Sequence, residues 1–490
     1  MLKKMISTIA AVFFVAMFGF MWIYHANVEF DPNDMVFLIY LLIAACCFGM
    51  FYLFWKTGVF KQNKTARLLI ALIVMAVLPR ILFAVSMDLT RFDDDAMYME
   101  IAQAFRDNSF VSTRYFEVFH YITLLPYLLG KTFMLFLDGP AAVVLMNLCC
   151  AAVIVSMLFL IGRKFMSVRF AFLAGIVYCL YPSQIFVTKL FTAEMVYAAA
   201  SLVVIYLIVL GANQYKQWFT PALFMAGAGM ILSFANSMRP MGAVLCIAAA
   251  IYVLIYMEHT WMKKGAMLTS FVIGFLVINM ALGSFTASKL GENGRVFPLP
   301  YTLYVGANVE SEGAYNAEDT GNLSLLFDQI PDNGQIMETL MASYQKRVQK
   351  LGTQYPQLML RKVHNFLHQD QYIMWAVSEW QKLENGGVQK ETEQGIIYKE
   401  VYNRYKLVND IYYNMLCIMM VVGCIGIFWK KNTDIPMLIT IYMIGVVLLH
   451  AVIEVSERYR LTIAPLFCLT AVFGISLVYE WYKSKILVKQ

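Results

Sequence analysis

Charged side chains are scarce in this sequence, since Asp, Glu, Lys and Arg account for 14% of its 490 residues while hydrophobic residues reach 60%. A soluble globular domain has about a quarter of its residues charged. This shortage excludes an ordinary soluble domain, because so few charges cannot cover a water-exposed surface around so large an apolar fraction. We therefore expect an all-α, polytopic membrane protein.

Several chemical signatures are also absent. The sequence has no Walker A, G-x-G-x-x-G or G-x-S-x-G motif, which argues against ATP-driven transport and serine hydrolysis. The nine cysteines all lie in apolar segments, and no Cys or His spacing fits a zinc site. The net charge of +6 is scattered over short loops, so we expect no nucleic-acid partner. The sequence requires no cofactor, although its carboxylates are able to bind a divalent cation such as Mg²⁺ or Mn²⁺.

Long apolar runs are what the sequence has in abundance. A membrane-spanning helix needs about 20 mostly apolar residues, and such runs predict about twelve spans, within a range of about 11 to 13. The first run, after "MLKK", has no small-residue cleavage site and is expected to be an uncleaved span. The predicted spans lie at roughly 5–24, 35–55, 67–87, 140–161, 168–187, 193–211, 218–235, 241–257, 266–284, 409–429, 434–452 and 460–480.

The apolar stretch 116–136 is a further candidate span, and loop charge argues against it. Lys and Arg concentrate in the cytoplasmic loops of membrane proteins. If 116–136 crossed the membrane, Arg163 and Lys164 would face outward and every later loop would carry the wrong charge. We therefore expect 116–136 to be a juxtamembrane element and both termini to be cytoplasmic, in a multi-pass protein of the cell membrane.

The predicted spans divide the chain into three parts. A membrane array at 1–284, with a first outer loop at about 88–137, is followed by a polar extracytoplasmic segment at 285–408 and by C-terminal spans at 409–490. A connection of about 120 residues is too long to be structureless. We expect a small mixed outer domain of helices and loops, packed over the membrane array.

Three adjacent aspartates, Asp93, Asp94 and Asp95, follow the third predicted span in "TRFDDDAMYMEIAQAF". Apolar residues after them recur at helical spacing, which predicts an amphipathic helix lying in the membrane interface. The aspartates either cap the start of that helix or supply a base where a lipid-linked substrate meets water. The triplet alone leaves both interpretations open.

Two further charged residues, Lys189 and Glu194, flank the predicted outer start of a span. A glutamate at this depth either faces water at the helix start or marks a functional site, because a carboxylate near lipid is costly.

Three arginines, Arg239, Arg458 and Arg460, lie at predicted outer ends of spans. Their positions oppose the positive-inside bias, and the planar guanidinium group suits phosphate. We therefore expect them to hold a phosphate-bearing head group. The alternative is a structural ion pair between Arg458 and either Glu454 or Glu457.

Five short motifs occur in order along the chain. The first is the acidic pair Asp94-Asp95 followed by Tyr98 and Ala102, and the others are "YPSQIFVTKLFTAEMVYAA", "MRPMG", "VGANVESEGAYNAED" and "SERYRLTIAPLF". Together they resemble the GT-C superfamily of polyprenyl-phosphate-dependent glycosyltransferases, such as the protein O-mannosyltransferases, the aminoarabinose transferases and the bacterial family 39-like enzymes. The resemblance covers roughly residues 70–300 and 440–480. The chain departs from the family pattern in having three aspartates instead of one acidic pair.

The resemblance implies a multi-span fold, a catalytic carboxylate in the first outer loop and a polyprenyl-phosphate-linked sugar as donor. Transfer to a hydroxyl also needs a base for the acceptor proton and cations near the leaving phosphate. By register against Tyr98, Asp94 is the expected base, and Asp95 or Asp93 orients the acceptor or holds a cation. The candidates for the donor phosphate are Arg239, Arg458 and Arg460, and those for the sugar or its surroundings are Glu194, Lys189, Tyr98 and Glu457.

We therefore expect an integral membrane glycosyltransferase, a hexosyl- or pentosyltransferase that inverts the sugar carbon C1 and acts at the outer face of the membrane. Its partners are membrane lipid, the polyprenyl-phosphate sugar and an envelope acceptor, for which a wall polymer, a lipid and a protein all stay open. The alternative is a transporter or flippase of lipid-linked sugars or polymers. A transporter usually has ionisable residues near the bilayer midplane and internal repeats, and the scarcity of both favours the enzyme.

Overall fold

The computed structural model describes residues 35–60, 65–86, 93–212, 219–290, 298–373, 393–427 and 433–487. These ranges contain helices, turns and loops and no β-strand, which confirms the all-α class. Twelve apolar or partly apolar helices have the bounds Met35–Lys56, Thr65–Ser86, Gly139–Gly162, Val168–Leu180, Pro182–Phe186, Ala193–Ala212, Phe219–Asn236, Gly242–Ile251, Trp261–Leu290, Glu393–Gly426, Asp434–Val452 and Ala464–Leu487.

Within the described ranges, eight helices are long and apolar enough to cross a membrane, and a bent helix pair adds a ninth. Two shorter apolar helices, Ile43–Lys56 and Gly242–Tyr256, match two more predicted spans. The structure therefore has an apolar helix at eleven of the predicted positions, and the predicted span 5–24 lies outside the described residues. These helices confirm a polytopic membrane fold.

The predicted span 168–187 is not one continuous helix. It forms the two helices Val168–Leu180 and Pro182–Phe186, extended to Lys189 by a 3₁₀ turn, and these two parts meet at an angle of 66°. Pro182 explains the break, because proline donates no backbone hydrogen bond and its ring pushes the preceding residue out of helical geometry. The bend directs the chain toward the start of the helix Ala193–Ala212, which carries Glu194.

The predicted first outer loop contains the amphipathic helix that the helical spacing after the aspartates indicated. We call this helix, Asp93–Arg106, the acidic helix. The expected juxtamembrane stretch 116–136 is divided among short helices, all far below the length of a span. These helices have the bounds Arg114–Val118, His120–Ile122, Leu124–Lys131 and Phe133–Leu135.

Where the structure describes it, the segment expected to form an outer domain consists of helices and loops. Its helices have the bounds Leu299–Gly306, Ala317–Gln329, Asn333–Leu351 and Tyr355–Leu367. Arg114 of the first outer loop donates a 2.9 Å hydrogen bond to the side chain of Asn333, and Phe119 lies in one apolar core with Ile336 and Leu340. These contacts join the first outer loop to the later segment. Both expected boundaries, at 284 and 408, fall within continuous helices, and the sidedness of each part stays a prediction.

The acidic helix packs against the helix Leu124–Lys131 at Gly130. A Cβ atom on Gly130 would overlap the backbone carbonyl oxygen of Ala102, so only glycine permits this approach. We expect Gly130→Ala to lower the thermal unfolding midpoint of the detergent-purified protein. The free energy of unfolding should fall by about 1–3 kcal/mol, as it does at other overpacked sites. Gly321→Ala is the matched control, because Gly321 also lies in a helix and a Cβ there has no neighbour within 4 Å. Equal midpoints for the two variants would contradict this packing.

Candidate active site

Four stretches of the chain that are distant in sequence meet at one cluster of charged side chains. Arg458 Nη1 donates a 2.8 Å hydrogen bond to Asp94 Oδ2, across a separation of 364 residues. Arg458 Nε lies 3.2 Å from Glu194 Oε1, and Arg239 Nη1 lies 3.4 Å from the same oxygen. We call these four residues the charge cluster. It unites one predicted base, two predicted phosphate ligands and one predicted supporting acid.

Exposure separates the roles of the two carboxylates in the charge cluster. The side chain of Asp94 is 40% exposed, whereas that of Glu194 is 2% exposed. The side chains of Arg239 and Arg458 are 13% and 17% exposed, so both are mostly buried but not sealed from the surface. Glu194 is the buried counter-ion that keeps both arginines in place, because a buried charge needs a partner of opposite sign. Asp94 is the more exposed carboxylate of the charge cluster.

Asp95 points away from the charge cluster and has a different contact. Its side chain is 4% exposed, and Oδ1 accepts a 2.5 Å hydrogen bond from the backbone N–H of Phe191. The side-chain amide of Asn147 contacts three backbone carbonyl oxygens in the same turn, among them that of Leu190 at 2.9 Å. Asp95 and Asn147 therefore hold the turn that leads to Glu194. Asp93 opens the acidic helix, and its side chain lies outside the described residues.

The hydrogen bond of Asp95 leads to a prediction about stability. Asp95→Ala leaves the N–H of Phe191 without this buried acceptor, which costs about 1–3 kcal/mol. Asp95→Asn keeps an oxygen at the same place and should cost less. We expect the thermal unfolding midpoint of the detergent-purified protein to be highest for the wild type, lower for Asp95→Asn and lowest for Asp95→Ala. If the Asn and Ala variants unfolded at the same temperature, the contact to Phe191 would not be what Asp95 contributes.

Aromatic rings line the charge cluster. The ring of Tyr459 lies 4.0 Å from the guanidinium carbon of Arg239, and its hydroxyl donates a 3.1 Å hydrogen bond to Glu454 Oε1. Burial raises the pKa of Glu454, against the opposing effects of that hydrogen bond and of the arginines. The predicted residue Tyr98 packs edge-on against Phe191 at 5.7 Å. Burial and the negative charge of Asp94 raise the pKa of Tyr98 well above its ordinary value.

The ion pair considered as the alternative for Arg458 is not the one that forms. Instead of pairing with Glu454 or Glu457 on its own stretch, Arg458 contacts Asp94 and Glu194. Burial lowers the pKa of this guanidinium, but Glu194, Tyr372 and Asp94 together hold it well above its ordinary value. Arg458 thus stays charged in a largely buried place.

Besides Asp93, Asp95 and Tyr98, three more of the predicted site residues lie outside the charge cluster, namely Arg460, Glu457 and Lys189. Arg460 is 1% exposed and donates to Asp370 Oδ1 at 2.8 Å, so its guanidinium faces the interior instead of the space beside Asp94. The carboxylate of Glu457 accepts hydrogen bonds from Gln369, Gln371 and Tyr372. Lys189 is half-buried in the turn that precedes Phe191.

Sequence reasoning missed two residues that contact the arginines. Tyr459 lies inside the quoted motif "SERYRLTIAPLF", where its position between two arginines was an available signal. Tyr372, whose hydroxyl accepts a 3.2 Å hydrogen bond from Arg458, lies in no motif and 86 residues away.

In the part of the chain that the structure describes, no group of three or more His, Cys, Asp or Glu side chains is arranged to hold a metal ion. Asp94 and Glu194 are the carboxylates beside the arginines, and each has Arg458 as its partner. A divalent cation therefore stays a prediction.

Comparisons with known proteins bear on the fold. No protein-family model matches the sequence, and a search of curated proteins gives no match. The chain is similar in structure to the Archaeoglobus fulgidus oligosaccharyltransferase in complex with Zn and sulfate, with a TM-score of 0.50 and 12% identity over 85% of this chain and 49% of that chain. It thus spans about half the length of that protein.

Two other solved structures superpose less closely. One is the oligosaccharyltransferase AglB from Archaeoglobus fulgidus with an inhibitory peptide and a dolichol-phosphate, at TM-score 0.45 and 11% identity over 88% of this chain and 52% of that chain. The other is ArnT from Cupriavidus metallidurans bound to undecaprenyl phosphate, at TM-score 0.35 and 14% identity over 84% of this chain and 77% of that chain. At these identities the likeness concerns the fold alone. The first match supports a polytopic membrane fold like that of this oligosaccharyltransferase.

Proposed function

We propose that this chain is an integral membrane glycosyltransferase that transfers a sugar from a polyprenyl-phosphate-linked donor to a hydroxyl group of an envelope acceptor. The observation that supports this most is the contact between Asp94, an accessible carboxylate, and Arg458, which lies 2.8 Å away. A potential base and two potential phosphate ligands thus occur within one cluster. The GT-C fold and the five motifs are consistent with the same activity.

The proposed reaction forms one bond and breaks one. Asp94 accepts the proton of the acceptor hydroxyl, whose oxygen attacks the sugar carbon C1 from the face opposite the phosphate. The bond from C1 to the phosphate oxygen breaks, so the configuration at C1 inverts and polyprenyl phosphate leaves. The phosphodiester donor carries one negative charge and the leaving monoester carries two. Arg458 and Arg239 stabilise the second charge as it develops.

Arg458 also connects donor binding to the base. A donor phosphate offers Arg458 another strong, charge-assisted partner. A donor phosphate bound by the remaining donors of Arg458 would therefore lie beside Asp94, so that donor and base meet at one guanidinium. The proposed site lies on the outer face of the cell membrane, and a divalent cation, Mg²⁺ or Mn²⁺, would be an additional component.

A transporter or flippase of lipid-linked sugars is the second candidate, and Arg80 is the observation that favours it. Arg80 is fully buried in the helix Thr65–Ser86, where its Nη1 donates to the carbonyl oxygen of Ala76 at 2.7 Å. Charged residues within spans often mark a transport pathway. Arg80 lies one to two turns from the end of its helix, and the charge cluster lies elsewhere, so we favour the enzyme.

The two candidates differ in whether a covalent bond is broken. Wild-type protein in proteoliposomes is given a polyprenyl-phosphate hexose, or in parallel a pentose, with a radiolabelled sugar, together with a solubilised envelope fraction as acceptor. The enzyme releases label from the lipid and forms an acceptor product with inverted C1. A flippase leaves the label on the lipid and moves it between leaflets, which would overturn the proposal.

A further inference from the structure

The segment 366–372, at the end of the helix Tyr355–Leu367, reaches the charge cluster from the later part of the chain. At its end, the Tyr372 hydroxyl accepts a 3.2 Å hydrogen bond from Arg458 Nη1, the same nitrogen that contacts Asp94. The Tyr372 ring lies 5.5 Å from the guanidinium carbon. Tyr372 therefore fixes the direction in which Arg458 presents its remaining donors.

Glu457 fixes the backbone of this segment. Its Oε2 accepts hydrogen bonds from the backbone N–H groups of Gln371 and Tyr372, each at 3.0 Å. Its Oε1 accepts a further 3.0 Å bond from the side chain of Gln369. One carboxylate thus satisfies three donors of the segment, which is the kind of arrangement that holds a loop in one conformation.

Arg460 holds the other end of the same segment. Its Nη1 donates to the carbonyl oxygen of Phe366 at 2.5 Å, and its Nη2 donates to that of Gln369 at 2.6 Å and to Asp370 Oδ1 at 2.8 Å. Glu457 and Arg460 flank Arg458 in a single 3₁₀ helix, Glu457–Thr462. The phosphate candidate and the two residues that fix its neighbour are therefore parts of one rigid turn.

We propose that Tyr372 belongs to the donor-phosphate site and that Glu457 and Arg460 are positioning residues, which hold the segment 366–372 so that Tyr372 meets Arg458. The inference rests on the proposed function, because it takes Arg458 as a phosphate ligand. Its physical basis is preorganisation. Arginine loses much rotamer freedom when a ligand immobilises it, and a neighbour that fixes the guanidinium beforehand removes that cost from binding. Arg460 and Glu457 thus act on the donor through Tyr372 without touching it.

The test measures binding of undecaprenyl phosphate to the purified full-length protein in detergent, together with donor KM and kcat in the transfer assay. Tyr372→Phe removes one hydrogen bond to a charged group and should weaken binding by about 5- to 30-fold. Glu457→Gln retains the side-chain shape but offers one acceptor oxygen to three donors, and it should weaken binding to a similar extent. Both variants should raise donor KM more than they lower kcat. The double variant Tyr372→Phe/Glu457→Gln should bind undecaprenyl phosphate no more weakly than the single variant with the lower affinity, because both changes act through one contact.

Glu312→Gln is the matched control, since this carboxylate also accepts a hydrogen bond from the helix Tyr355–Leu367, at Asn365, but lies outside the segment 366–372. It should leave binding unchanged. Arg460→Lys, which keeps a positive charge beside Asp370, provides a second positioning variant if Glu457→Gln fails to fold. Wild-type affinity in Tyr372→Phe, or full additivity in the double variant, would overturn the inference while the proposed function stands. Failure of the wild type to bind undecaprenyl phosphate would overturn the proposed function and the inference with it.

Discussion

Replacing Asp94 by Asn is expected to lower the rate of sugar transfer by about 10²- to 10⁴-fold, the usual contribution of a general base. The physical reason is that the amide cannot accept the proton of the acceptor hydroxyl. Asn keeps an oxygen that can accept the hydrogen bond from Arg458, so the arginine stays close to its present position. The loss should therefore appear in kcat, measured with radiolabelled donor in proteoliposomes. Binding of undecaprenyl phosphate should be unchanged or slightly stronger, because Arg458 no longer has a charged competitor for the phosphate.

Asp107→Asn is the control for this change. Asp107 follows the same acidic helix, is exposed and pairs with Arg106 at 2.7 Å, so its replacement should leave transfer at the wild-type rate. Asp95→Asn provides a second comparison. If Asp95→Asn removed transfer and Asp94→Asn did not, the base would have been assigned to the wrong aspartate of the triplet.

Replacing Arg458 by Gln has the second large expected effect. Arg458 contacts Asp94, Glu194 and Tyr372, and in the proposed mechanism it also holds the donor phosphate. Loss of one donor that stabilises developing charge typically costs about 10²- to 10³-fold in kcat. We expect a loss of this size in kcat, together with weaker binding of undecaprenyl phosphate. The kcat and the affinity for undecaprenyl phosphate are measured in the same proteoliposome and binding assays, with equal amounts of each variant inserted.

Arg361→Gln is the control for the loss of positive charge. The Arg361 side chain is 59% exposed and lies 3.8 Å from Glu312, so this ion pair contributes little to the stability of the protein. Transfer and binding should both stay at wild-type values in this variant. An Arg458→Gln protein that binds undecaprenyl phosphate as the wild type does would remove Arg458 from the phosphate site.

The difference between Arg458 and Arg460 illustrates what sequence reasoning can achieve. The sequence predicts both as phosphate ligands, because both oppose the positive-inside bias and carry a planar guanidinium that suits phosphate. They lie two residues apart. The structure turns Arg458 toward Asp94 and Glu194 and turns Arg460 toward Asp370. A spacing of two in a 3₁₀ turn places successive side chains on different sides, so the same residue type meets two different environments.

Features that depend on local chemistry could be predicted from the residues alone. Apolar length predicted the membrane helices, because a span needs a continuous run of residues. Helical spacing predicted the acidic helix, and the motifs predicted the GT-C fold. Which aspartate is accessible depends on how the chain packs, because Asp94 and Asp95 are adjacent and chemically identical. Burial against Phe191 distinguishes Asp95 from Asp94. The same holds for Tyr372, whose contact with Arg458 depends on where the chain returns after 86 residues. Burial and long-range contacts arise from packing, which no local pattern of residues encodes.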